Sequence, residues 1–245
     1  MIVRLRDRCA GPQVPMTGTA KRAASLTGLA IAWGGTALLI SPAAGALGDP
    51  ARLQTALIVQ ALLWILAVAV VAIVLFWEKQ PLASLWLKPF RWQSIGWALV
   101  LLVVNYAVVF PVSEWVRGAT GLSGFSQGME QVMRFPFTFR LLGVIGAGVV
   151  EELLFRGFTV TRLTALTGRT WLAGALAVVG FSLLHVPVWG WGFAIIGLIG
   201  GTASTAFFIW RKDLLAMMVF HAVTDAMGFL ITPMFSEWWR EPWAI

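Results

Sequence analysis

Apolar runs of roughly 20 residues, each the length of a helix crossing a ~30 Å hydrocarbon core, recur along this chain. They lie near 26–47, 55–77, 94–113, 139–160, 171–187, 191–210 and 213–235. Hydropathy locates spans better than their ends. The runs predict an all-α membrane protein, a polytopic bundle of about seven transmembrane helices, or eight if one further span is counted. The composition agrees: 59% of the 245 residues are hydrophobic and only 12% charged. The mean hydropathy of +0.82 lies beyond the range of a soluble globular domain.

Tryptophan marks the proposed ends. Trp77, Trp97, Trp115, Trp171, Trp189, Trp191, Trp210, Trp238 and Trp239 fall close to span termini, where an amphipathic ring prefers the interface. The net charge of +7 is spread over short loops, with no nucleic-acid motif and no single basic face. With the N-terminus cytoplasmic, 13 of the 18 Lys and Arg residues fall in inside segments. Arg52, Arg117, Arg134, Arg140 and Arg240 fall outside. The positive-inside rule therefore predicts a multi-pass protein of the cell membrane with its N-terminus in and, after seven spans, its C-terminus out. The single Cys9 excludes an intramolecular disulfide and a cysteine-based metal cluster. The small-residue run Ala43-Ala44-Gly45-Ala46 gives the first span the look of a signal sequence, but the charged region before it is long for one.

No internal repeat is visible. The chain reads as a basic arm over 1–24 and N-terminal helices with a polar 114–138 segment over 25–138. A core over 139–235, where the candidate site lies, and a Trp-rich tail over 236–245 follow. In the polar segment Met129, Val132, Met133 and Phe135 recur at helical spacing among polar residues, which suits a short helix on the membrane surface or a packed loop. The first three spans are nearly free of ionisable groups, whereas the later ones carry Glu151, Glu152, Arg156, His185, His221 and Asp225. Such groups are costly at membrane depth, so they face the bundle interior and mark a pathway or a site.

Glu152 and Arg156 stand i and i+4 with the acid N-terminal, the favourable order for an ion pair on one helical face. Glu151 projects about 100° away on an α-helix and must find its partner on another helix. A carboxylate in a low-dielectric site is suited to take a proton from water. Both histidines of the chain fall in spans. Phe181 lies one turn before His185 and can pack on its ring, and His221 shares a face with Asp225 at i,i+4. A carboxylate so placed can fix a histidine's tautomer.

The ordered motifs Glu-Glu-x-x-x-Arg (Glu151, Glu152, Arg156), Phe-x-x-x-His (Phe181, His185) and His-x-x-x-Asp (His221, Asp225) resemble the CPBP family of intramembrane proteases. That family includes the type II CAAX prenyl endopeptidases and bacteriocin-processing or self-immunity proteins. The resemblance runs from about Leu141 to Phe229 and includes the glycine-rich Gly197-Leu198-Ile199-Gly200-Gly201. It implies a membrane-embedded endopeptidase in which Glu151 and His185 activate water, Glu152 and Arg156 support the site, and His221 and residue 225 bind the oxyanion. The implied partners are membrane lipid and a peptide or protein substrate, lipidated or leader-bearing, and no nucleic acid. The family is often labelled metalloprotease, although a metal-free glutamate mechanism fits its better-studied members.

Asp225 stands where the more familiar members have asparagine. An ionised carboxylate accepts hydrogen bonds but donates none, so it cannot itself stabilise an oxyanion. Asp225 could stay protonated, orient His221 as the donor, or join Glu151, His185 and His221 around a zinc ion. No cofactor is expected, with zinc the alternative. Gly121-Leu122-Ser123-Gly124 matches the Gly-x-Ser-Gly of rhomboid proteases but lies in the polar segment and reads as a turn. A binding scaffold or a transporter using the same buried groups is the competing class. Unrepeated spans count against the commonest transporter plans.

Overall fold

The computed structural model describes residues 18–40, 42–123 and 126–234, and among these every regular element is helical. Cys9, Gly124, Trp238, Trp239 and Arg240 lie outside the described residues, as does the basic arm up to residue 17. Helices α1 (Thr19–Ile40), α2 (Leu53–Trp77) and α3 (Trp92–Thr120) precede the short α4 (Ser126–Met133). Next come α5 over 137–167 and the apolar stretches Thr170–Arg211 and Leu214–Met234.

Among the described residues, five helices are long and apolar enough to cross a membrane: α1, α2, α3, Thr170–Arg211 and Leu214–Met234. The sequence expectation of seven goes further, and two local features account for the difference. The first is charge: α5 is as long as the others but carries Arg140, Glu151, Glu152, Arg156 and Arg162. The second is a reversal within the 42-residue stretch Thr170–Arg211.

At Gly190 the backbone takes φ 80° and ψ 173°, a conformation open essentially only to glycine. It follows Pro187, which has no N–H to continue the helical ladder. The two halves, α6 (170–189) and α7 (191–211), fold back antiparallel. A methyl group added at Gly197 would stand 2.9 Å from Ser182 Oγ, one at Gly201 3.3 Å from Val178 Cγ1, and one at Gly174 3.2 Å from Thr205 Cγ2. The absent side chains let the halves approach closely, as small residues do between membrane helices. The fifth apolar run was expected to end at 187, with His185 at its margin. Instead α6 runs on to the turn at Gly190, and His185 lies within the helix, one turn before it.

The last helix, α8 (Leu214–Met234), starts on Asp213, whose carboxylate accepts the Ala216 N–H at 3.1 Å and the Ser94 hydroxyl at 2.8 Å. This is a side-chain N-cap tied to α3. Glycine in the left-handed conformation ends α3 at Gly121 (φ 68°) and α5 at Gly168 (φ 72°), leaving orphan carbonyls satisfied. Of the expected Gly121–Gly124 turn, Gly121 forms the turn that ends α3, and Gly124 lies outside the described residues.

Between Ala147 and Val160, α5 is wound as a π-helix. The i→i+5 bonding of such turns is frequent at functional sites, and it removes the basis for the 100° angle between Glu151 and Glu152, which assumed an α-helix. Helix α5 packs most extensively on α8. Gly148 makes that approach possible, since a methyl there would lie 2.7 Å from Ala222 Cβ and 2.9 Å from the Met218 carbonyl. The core is filled by Phe155, Phe158, Phe208, Leu154 and Met217. The outward side chains Val68, Phe76 and Val103 are 64%, 77% and 69% exposed, an apolar exterior suited to lipid.

Candidate active site

Helices α5, α6 and α8 bring the predicted residues together. Glu151 Oε2 lies 3.7 Å from His185 Nε2 and 3.9 Å from His221 Nε2. His221 Nε2 lies 3.7 Å from Asp225 Oδ2. These distances exceed a hydrogen bond and leave room between the groups. The glutamate thus finds its partners on other helices.

The two rings are held by their other nitrogens. His185 Nδ1 is 2.7 Å from the Phe181 carbonyl, which can only accept, so Nδ1 carries the proton and a neutral ring turns its Nε2 lone pair toward Glu151. His221 Nδ1 is 2.7 Å from Glu152 Oε1. The same oxygen accepts from Arg156 Nη1, so Nδ1 is again the donor. Asp225 shares the helical face of His221, but the contact that fixes this ring comes from Glu152, 69 positions earlier in the chain. Glu152 is fully buried, and its single oxygen joins α5 to α8.

Three contributors carried no sequence signal. Ser204, on α7, accepts a hydrogen bond from Arg156 Nη2 at 2.9 Å and donates to the Gly201 carbonyl at 3.2 Å, which orients the guanidinium. Phe193 stacks on His185, centroids 5.2 Å apart, opposite Phe181 at 4.2 Å. Phe181 also meets the His221 ring at 6.4 Å and lies 5.5 Å from the Arg156 guanidinium carbon, a cation–π distance. The contacts of Ser204 with Arg156, Phe193 with His185 and Phe181 with His221 join different helices, beyond the reach of helical periodicity. Trp33 is placed similarly: its indole N–H donates to Thr159 Oγ1 at 2.9 Å.

Two cavities adjoin the cluster. One of about 660 Å³ is lined by Glu152, Arg156, Phe181, His221 and Asp225 together with residues of α3, α4 and α7. The other, of about 170 Å³, is lined by Glu151 and His185 among apolar side chains. Trp189 borders both. The expected short helix in the polar segment is present as α4, and Met129 and Met133 line the larger cavity, with Gly128 seated against the Trp189 indole. A zinc ion needs donors at about 2.0–2.2 Å. Among the described residues, no group of three or more His, Cys, Asp or Glu side chains is arranged to hold a metal ion.

No curated protein and no solved structure matches the chain. Residues 133–227, which contain every member of the cluster, match the family model described as Type II CAAX prenyl endopeptidase Rce1-like, so this part of the chain is similar to that family of membrane proteases.

Proposed function

We propose that the protein is an intramembrane endopeptidase that hydrolyses a peptide bond in a membrane-associated substrate, prenylated or leader-bearing, by water activated between Glu151 and His185. The observation that carries this reading is the position of Glu151 Oε2, 3.7 Å and 3.9 Å from two histidine nitrogens. One water molecule with hydrogen bonds of about 2.8 Å to the carboxylate and to His185 spans the nearer gap. Glu151 takes a proton from that water, and the oxygen bonds to the substrate carbonyl carbon. As imidazolium, His221 donates Nδ1–H to Glu152 and presents Nε2–H to the oxyanion, with Asp225 beside it balancing charge. The C–N bond then breaks, and Glu151 returns its proton to the leaving nitrogen. No step of this reading is routed through a metal.

For topology we infer that α1, α2, α3, α5, α6, α7 and α8 all cross the membrane. Halves of about 20 residues span ~30 Å, which makes α6 and α7 two crossings. The cationic loops favour a cytoplasmic N-terminus and an outside C-terminus in the cell membrane.

The test is cleavage by the purified, liposome-reconstituted chain of a varied peptide panel, some members prenylated. Product is expected from the parent and not from Glu151→Ala or His185→Ala. Well-folded parent that cleaves nothing, or variants that cleave as the parent does, would overturn the reading. Activity should also survive a strong chelator, and loss restored by added zinc would overturn the metal-free step.

A further inference from the structure

An asparagine in the middle of α3 has no counterpart in the motifs above. Asn105 opens a π-helical stretch, Asn105–Val109, in a span that runs from Trp92 to Thr120. A primary amide at that depth is costly unless it is used, and π-turns recur at functional sites.

Asn105 lines the 660 Å³ cavity together with His221, Thr224 and Asp225. The adjoining Tyr106 hydroxyl reaches the Thr224 carbonyl at 3.4 Å, which brings this part of α3 against the turn of α8 that carries Asp225. Apart from His221 Nε2 and the buried, unpartnered Arg156 Nε, the following donors on the cavity wall are committed. Ser113 donates to the Val109 carbonyl, Ser204 to Gly201, Thr224 to Phe220 and Thr232 to Met227. Arg156 spends its terminal nitrogens on Glu152 and Ser204. The Asn105 amide makes no hydrogen bond among the described residues. It is an uncommitted pair of N–H groups in a cavity whose Asp225 carboxylate, when ionised, has none to give.

We propose that Asn105 donates an amide N–H to the carbonyl oxygen of the scissile peptide bond and shares the oxyanion with His221. Asn105 thereby supplies from α3 the donor that Asp225 lacks on α8. The assignment rests on the hydrolase reading. No covalent step changes: the oxygen gains negative charge as water adds and loses it as the C–N bond breaks, and the amide keeps its proton throughout.

The experiment compares steady-state cleavage by the reconstituted full chain, its Asn105→Ala and Asn105→Leu variants, and the same changes in an Asp225→Asn background. Loss of one oxyanion donor costs about 10²–10³-fold in kcat. Both variants are expected to fall by that factor with KM little changed and melting temperature retained, and an amide at 225 should reduce the loss to under about tenfold. The inference is overturned if either variant keeps the parent kcat. A loss that follows melting temperature, or is equal in both backgrounds, also overturns it. Glu151→Gln separates the two levels: an active parent with an inactive Glu151→Gln and fully active Asn105 variants keeps the hydrolase and discards the donor. Full activity of Glu151→Gln, or a folded parent without activity, discards the hydrolase and the donor with it.

Discussion

Replacing each of two adjacent glutamates by its isosteric amide should give opposite phenotypes. Glu152 is fully buried, and its Oε1 accepts from both Arg156 and His221. Glu152→Gln leaves the Arg156 guanidinium buried without a counter-charge. Removal of one partner from such a pair costs about 3–5 kcal/mol. At roughly 2–4 °C per kcal/mol for a chain of this size, the melting temperature should fall by about 6–20 °C. Glu151 makes charge pairs no shorter than 3.7 Å, and its side chain is 23% exposed, so Glu151→Gln removes at most about 1 kcal/mol and shifts melting by under ~4 °C. It should nonetheless abolish turnover, because a positioned general base contributes about 10²–10⁴-fold. Tryptophan-fluorescence melting in detergent, paired with peptide cleavage after reconstitution, reads both effects. The reasoning is refuted if Glu152→Gln melts with the parent, or if Glu151→Gln melts as low as Glu152→Gln.

Two further changes test the frame around the site. Arg162→Leu strips Glu78 of a guanidinium bonded at 2.9 and 3.1 Å and should cost about 3–5 kcal/mol, lowering melting while the folded fraction keeps its KM. Gly148→Val drives a side chain into Ala222 and the Met218 carbonyl. It should cost about 1–3 kcal/mol and depress kcat by parting Glu151 from His221. Normal kcat in a folded Gly148→Val protein would show that the α5–α8 approach does not set the site.

The helical character and the position of the polar cluster were legible because lipid imposes long apolar runs and makes every buried charge conspicuous. The i,i+4 pair Glu152 and Arg156 was likewise open to inspection, since both partners lie on one helix. What escaped was contact between helices. Nothing in the spacing of His221 and Asp225 says that Glu152 holds the ring, and nothing near Ser204 announces the guanidinium it meets. The pairing of Glu78 with Arg162 spans 84 positions and was hidden for the same reason. The reversal at Gly190 was visible as the break between the runs 171–187 and 191–210, but its defining contacts, such as Gly197 against Ser182, join residues on either side of the turn and were not. The π-helical winding of α5 is a backbone choice that apolar periodicity does not encode.

The use of one Glu152 oxygen by both Arg156 and His221 bears on how the protein is made. The acids of α5 are synthesised before either histidine, and the ring that shares this oxygen arrives with α8. A nascent chain holding α1 to α7 therefore has its base without the imidazole opposite it. Assembly of α8 against Gly148 joins the halves, so on the proposed mechanism proteolytic competence begins with the last membrane insertion. On that mechanism an unfinished chain would share a bilayer with the substrate without attacking it.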